Sequence, residues 1–185
     1  TIIVTRRTAC DSDIPQLEDP SKHGYVTVTT TGNAKLRVRY DGRYHIRPWR
    51  GSLVIDVYDG FLREGDKIIV TYGDTRGGCP GFRMQTFRER NHTFRILVDN
   101  FGTGRFYEVE KSPTINIVGG PPERMEVVAP SSTVVGRRSR LLVRVLDSWG
   151  NPAEHYDGRV EFKSTDEEAT LPVGYKFKPE DHGFK

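Results

Sequence analysis

"YVTVTTTGNAKLRVRYDG", residues 25–42, decides the fold class. Its first half is Val and Thr, β-branched side chains that lose rotamer freedom in a helix and pack well on a pleated surface. Its second half alternates: Leu36, Val38 and Tyr40 fall on one face, Arg37 and Arg39 on the other. A period of two sends successive side chains to opposite sides of a strand. Thr31-Gly32-Asn33 and Asp41-Gly42 supply turn chemistry between and after. The stretch reads strand, turn, strand.

The same texture extends in both directions. "TIIVT" (1–5), "SLVIDVY" (52–58), "KIIVTY" (67–72), "TFRILVD" (93–99) and "TINIV" (114–118) are strand-like, and Asp59-Gly60, Gly65-Asp66 and Gly102-Thr103-Gly104 separate them. No segment offers a capped apolar stripe of helical period. Generous glycine (19) and proline (11) suit many short strands. An all-β chain with almost no helix is expected. A two-residue hairpin at Asp41-Gly42 would place Arg43, His45 and Arg47 on the apolar face. Either that turn is longer or the segment to Arg50 is not a regular strand, and Pro48 favours the second option.

"VGGPPER" (118–124) reads as a domain boundary. The expected organisation is a β-sandwich over 1–119 and a second sandwich over 122–185. In the second part "MEVVAP", "RLLVRVLDSWGNP", "GRVEFKST" and "YKFKP" are again strand-like. About 65 residues fall short of the ~100 of a complete immunoglobulin-like sandwich, so the second domain is expected to be incomplete, with an exposed sheet edge covered by the rest of its own polypeptide or by a partner chain.

"VLDSWGNPAEHYDGRVEF" (145–162) resembles a loop and its flanking strands in bacterial immunoglobulin-like domains of the invasin and filamin kind, with Asp147, Gly150, Asn151, Pro152 and Gly158 at the expected places. "YKFKPEDHGF" (175–184) resembles a later corner of such domains. "DSDIPQLEDPSKHGYVTV", "LREGDKIIVTYGD" and "GGCPGFRMQTF" resemble the N-terminal region of a bacterial family of unknown function. Its members usually continue into a metal-dependent hydrolase of the amidohydrolase or PHP phosphoesterase kind. The resemblance implies a non-catalytic accessory region that positions the catalytic domain or its substrate, in a bacterial, periplasmic or secreted setting. The histidine-rich metal motif of the hydrolase part is absent from this stretch.

A net charge of +3 with interspersed signs points to no nucleic-acid partner. No apolar run approaches the ~20 residues of a membrane-spanning helix. No signal peptide is visible, so the strand-like opening reads as a processed start or a fragment. Two cysteines, Cys10 and Cys79, are too few for a disulfide framework, and their pairing is open. Asn91-His92-Thr93 fits the short glycosylation pattern. The five histidines lack metal-ligand spacing, and Asp11-x-Asp13 has too few oxygen donors nearby for a calcium loop. No metal or cofactor is expected.

"YGDTRGGCPGFRMQT" (72–86) has the glycines of a phosphate cradle but no Gly-Lys-Ser/Thr. The alternation of Phe82, Met84 and Thr86 suits a following strand, where a cradle needs a helix N-terminus. Arg83 and Gln85, two apart, are expected on one face of it. Asp74 is expected to cap the bend made by Gly77, Gly78 and Gly81. Arg76 and Arg83 offer planar donor forks for a carboxylate or sulfate. An enzymatic site near Asp74, Arg76, Arg83 and Gln85 is one alternative reading. Carbohydrate binding or surface adhesion is the other, through aromatics such as Trp49 in "RYHIRPWR" (43–50) beside Arg47.

Overall fold

The structure is a computed structural model that describes residues 1–7 and 10–185. It is all-β: among the described residues there are thirteen strands and two short 3-10 turns, Thr75–Gly77 and Pro179–Asp181. Two compact units divide the chain, one of residues Thr1–Thr86 and Arg90–Asn116, the other of Phe87–Glu89 and Ile117–Lys185. None of the helical segments among the described residues is long and apolar enough to cross a membrane.

Strands β1 (Ile2–Arg7), β2 (Val26–Thr30), β3 (Lys35–Asp41), β4 (Trp49–Asp59), β5 (Ile68–Tyr72), β6 (Glu89–Thr93), β7 (Arg95–Val98), β8 (Tyr107–Glu108) and β9 (Thr114–Ile117) follow one another in the first part of the chain. A five-stranded sheet runs β3-β4-β1-β7-β8, while β2-β5 and β6-β9 are two-stranded. Leu53, Ile55 and Val4 of the large sheet meet Val26 of β2, and Val28, Ile68 and Val70 pack around them. Fully burying one such aliphatic side chain stabilises the fold by about 1.5–3 kcal/mol. The apolar alternation of β2, β3 and β5 is the inner lining of this two-layer core.

β1 and β4 depart from simple alternation. Ser52, Leu53, Val54 and Ile55 are consecutive and all buried, as are Ile3, Val4, Thr5 and Arg6. Both strands are central in the large sheet and both of its faces are covered there, which is why they read as continuous apolar runs. Ile3 opposes Val54 on one side and Leu97 on the other, forming a row on the second face.

Three local expectations change. Asp41 pairs with Ser52, so residues 42–48 form a long irregular connection and not a tight hairpin. That resolves the conflict at Arg43, His45 and Arg47 in the direction Pro48 indicated. The "TFRILVD" segment is not one strand: β6 ends at Thr93, β7 starts at Arg95, and Phe94 donates its N–H to the Pro113 carbonyl at 2.9 Å. "FRMQT" forms no strand at all. Its edge is tied instead to an earlier loop: the Asp13 N–H donates to the Arg83 carbonyl at 2.9 Å, and the Gly24 N–H to that of Gly81 at 3.4 Å.

The second unit contains β10 (Arg124–Val128), β11 (Leu142–Leu146), β12 (Arg159–Val160) and β13 (Tyr175–Lys176), paired β10-β11 and β12-β13. Its core is Val143, Val145, Ala153, Val160 and Phe177. The Phe177 ring meets Tyr156 and Tyr175 edge-on at 5.3 and 5.7 Å, a favourable aromatic geometry. Gly183 and Lys185 extend the sheet on the β11 side through bonds to Val145 and Val143. On the β10 side, Met125 and Val127 stand directly opposite Val145 and Val143, and so share the core-facing side. Yet Met125 is 44% and Val127 55% exposed, against 2% and 3% for their partners. The core side of β10 is bare.

Candidate functional site

β5 delivers the chain into the loop beginning at Gly73. A Cβ on Gly73 would lie 2.3 Å from the Phe82 backbone nitrogen, with φ at +70°, so only glycine lets the two ends of this loop approach so closely. Asp74 then caps the 3-10 turn, as its position among the glycines predicts. Its carboxylate accepts from the Arg76 backbone N–H at 3.1 Å, from Arg76 Nε at 2.9 and 3.1 Å, from Arg76 Nη2 at 2.5 Å and from Thr27 Oγ1 at 2.7 Å. Asp74 is buried while the Arg76 side chain is 76% exposed. The Arg76 guanidinium, then the Thr27 hydroxyl and the Arg76 amide, hold this carboxyl far below the ordinary carboxylate range. A group so stabilised as an anion is a poor proton acceptor at neutral pH. Its arrangement suits loop closure.

Arg83 turns to other acceptors. Its guanidinium lies 3.5 Å from Asp13 Oδ1 and donates to the Asp11 carbonyl at 3.0 Å, and its backbone N–H donates to Asp13 Oδ2 at 2.8 Å. Asp11 accepts from the Thr86 N–H and hydroxyl at 2.8 and 2.6 Å. Those Thr86 bonds, side chain first, lower the Asp11 pKa. The Asp-x-Asp pair therefore pins residues 83–86, a role sequence reading missed because the partners are about 70 residues away. Pinning by carboxylates, together with Pro80 and a left-handed Gly81 (φ +117°), replaces the expected strand. Arg83 and Gln85 do not share a face: Arg83 is exposed and Gln85 buried. Cys79 is buried, its sulfur 3.3 Å from both the Gly81 nitrogen and carbonyl oxygen, and both cysteines are free thiols. No helix starts at Gly81, and the loop lacks the element a phosphate cradle requires.

Trp49 opens β4, opposite Arg7, with the Arg95 guanidinium 5.5 Å from its ring. Arg47 is exposed in the irregular connection and lines a cleft of about 350 Å³ with Arg6, Arg7, Arg50, Asp13 and Tyr40. Arg47 and Arg50 were visible in one short aromatic-basic cluster. Arg6 and Arg7 reach the same place from β1, and nothing local in sequence links them to it. Burial raises the Tyr40 hydroxyl pKa, with nearby Arg6 opposing it, and burial pushes Tyr72 up to about 12. Both phenols are neutral donors at physiological pH.

In the second unit the turn after β11 is organised by Asp147, which is 1% exposed. It accepts from the N–H groups of Trp149, Asn151 and Gly120 at 2.9, 2.8 and 2.9 Å and from Asn151 Nδ2 at 2.9 Å. Burial pushes this carboxyl up, but the donations from Asn151, Gly120 and Trp149 together prevail and hold it below its ordinary value. Trp149 projects from that turn, 58% exposed. Among the described residues no group of three or more His, Cys, Asp or Glu side chains is placed to share a metal ion. Set against protein-family models, curated proteins and solved structures, the chain matches none of them.

Proposed function

We propose that this chain is the non-catalytic, accessory β portion of a larger protein, of the metal-dependent hydrolase kind suggested by its N-terminal motifs. In this reading its second unit is immunoglobulin-like and is completed by further polypeptide of the same protein. The observation that carries the reading is the bare core side of β10. Met125 and Val127 face the same way as the buried Val145 and Val143 but remain about half exposed. Large apolar side chains on the core side of a sheet are ordinarily covered, and covering the half that remains exposed adds roughly half of the about 1.5–3 kcal/mol that full burial of such a side chain contributes. The first unit adds support, since Asp74 is committed to its loop and Arg83 to Asp11 and Asp13.

The test is a single-cysteine label at Met125→Cys in a background free of Cys10 and Cys79. Fast thiol labelling is expected in residues 1–185 and at least about tenfold slower labelling in the longer natural chain, if covering the strand costs ~1.4 kcal/mol to undo. Equal labelling in both overturns the reading, as does a natural chain that ends at Lys185.

A second reading, carbohydrate binding, is favoured by one observation: Trp149 is a large aromatic residue that remains 58% exposed. Trp49 is less available because Arg95 sits over it. Glycan-array binding lost in Trp149→Ala and kept in Trp49→Ala would support this reading, and no binding by the parent chain would end it.

A further inference from the structure

Arg6 lies on central strand β1 and is only 7% exposed. Its Nη1 donates to Ser12 Oγ at 2.7 Å and its Nη2 to the Asp13 carbonyl at 3.1 Å, both uncharged acceptors. The Phe82 and Tyr72 rings lie 4.9 and 5.7 Å from its guanidinium carbon. Among the described residues no carboxylate comes within 4 Å of the charged nitrogens of Arg6, Arg7, Arg47 or Arg50. Asp13, the carboxylate on the cleft wall, is engaged by Arg83 at 3.5 Å and His23 at 3.6 Å. A buried cation without a counter-charge is costly, and aromatic faces offset only part of that cost. Three further arginines converge on the same cleft, where mutual repulsion would otherwise favour turning away.

From this geometry we propose that the cleft binds a small organic polyanion carrying at least two tetrahedral oxyanion groups, phosphate or sulfate. The cleft volume of about 350 Å³ accommodates a small molecule and not a folded chain. The guanidinium fork matches tetrahedral oxyanions bidentately, and a single carboxylate would leave most of the cationic charge unbalanced. Buried Arg6 fixes one group, and exposed Arg47, in the connection after β3, and Arg50, at the start of β4, hold the ligand from the other side. This inference rests on the first unit and is independent of what covers β10.

The experiment is calorimetric titration of the whole chain at low salt with three probes: inorganic pyrophosphate, a disulfated disaccharide and inorganic sulfate. One of the first two is expected to bind at least about tenfold more tightly than sulfate, a gap of ~1.4 kcal/mol. Tighter pyrophosphate assigns phosphate groups, and the tighter disaccharide assigns a sulfated sugar. Arg47→Ala/Arg50→Ala, exposed positions whose loss should leave the thermal melt unchanged, is expected to remove that advantage. Arg137→Ala/Arg138→Ala removes equal charge from the second unit and is expected to keep it. The proposal is overturned if neither probe outbinds sulfate, or if both double variants weaken binding equally, which would mark a diffuse charge effect.

Discussion

Asp74 and Asp147 are the same residue in the same kind of place, a nearly buried carboxylate at the end of a strand that folds the next loop around itself. They are stabilised differently. Asp74 is held mainly by a counter-charge two residues ahead, the exposed Arg76 guanidinium, with Thr27 behind it. Among the described residues no cation pairs with Asp147: its donors are neutral, three backbone amides and one side-chain amide. One carboxylate is kept ionised chiefly by an ion pair reachable by solvent, the other by converging dipoles that solvent does not reach. Both devices keep the carboxyl ionised, but they fail under different insults.

The sharpest break should come at Asp147. Each of its oxygens accepts from at least one backbone N–H, which cannot reverse, so Asp147→Asn turns a donor either toward the Trp149 and Asn151 backbone amides or toward the Gly120 amide. Asp147→Asn is therefore expected to destabilise the second unit nearly as much as Asp147→Ala. The loss should exceed the roughly 1 kcal/mol of one hydrogen bond, read by urea denaturation. At Asp74 the two substitutions should separate. Thr27 can accept where it now donates, so Asp74→Asn keeps the cap and falls well short of Asp74→Ala in its effect on melting. A result in which Asn is equally harmful at both sites would erase the distinction.

Acid is the next lever. Both carboxyls sit below their ordinary value in the folded state. The unfolded chain then takes up protons first as pH falls, so these groups stabilise the fold above about pH 4 and lose that contribution below it. Melting temperature should be flat near neutrality and drop below about pH 4, with Asp147→Ala showing a shallower drop than the parent. The smallest effect is expected from Arg76→Ala and from added salt on the parent, because an exposed guanidinium is screened. Near-silence of both on the melt would be consistent with the Thr27 bond and the turn amide sufficing to hold the Asp74 loop.

The contrast also explains what was legible in the sequence. The Asp147 turn is local, and Asp, Gly, Asn and Pro within six residues announce it; only its Gly120 donor lies elsewhere. Alternation at 36–40 and the β-branched run at 25–31 gave the inner lining of the first core directly. Burial of both faces at Ser52–Ile55 was hidden, because an apolar run looks alike in a strand covered once or twice. The misreading of "FRMQT" as a strand has a similar root. Its backbone partners are Asp11 and Asp13, and no local pattern reveals a carboxylate standing in for a ladder. The cleft was half visible for the same reason, with Arg47 inside a recognisable cluster and Arg6 just beyond the strand-like stretch 1–5, where no local pattern marks it.

The order of strands in the large sheet has a consequence for how the molecule is made. β1, first in the chain, sits in the middle of the sheet: Ile2 pairs with Ile55 on one side and with Val98 on the other. During synthesis β1 has no partner until β4 emerges, and its second edge waits for β7. Pairings this distant in sequence close late and slow the folding of β proteins. A nascent chain stalled between β4 and β7 would expose an unpaired, strongly apolar edge along Ile2–Thr5, the kind of edge that captures another chain. Translation pauses that hold the chain with β4 emerged and β7 not yet emerged are therefore where aggregation of this protein should begin.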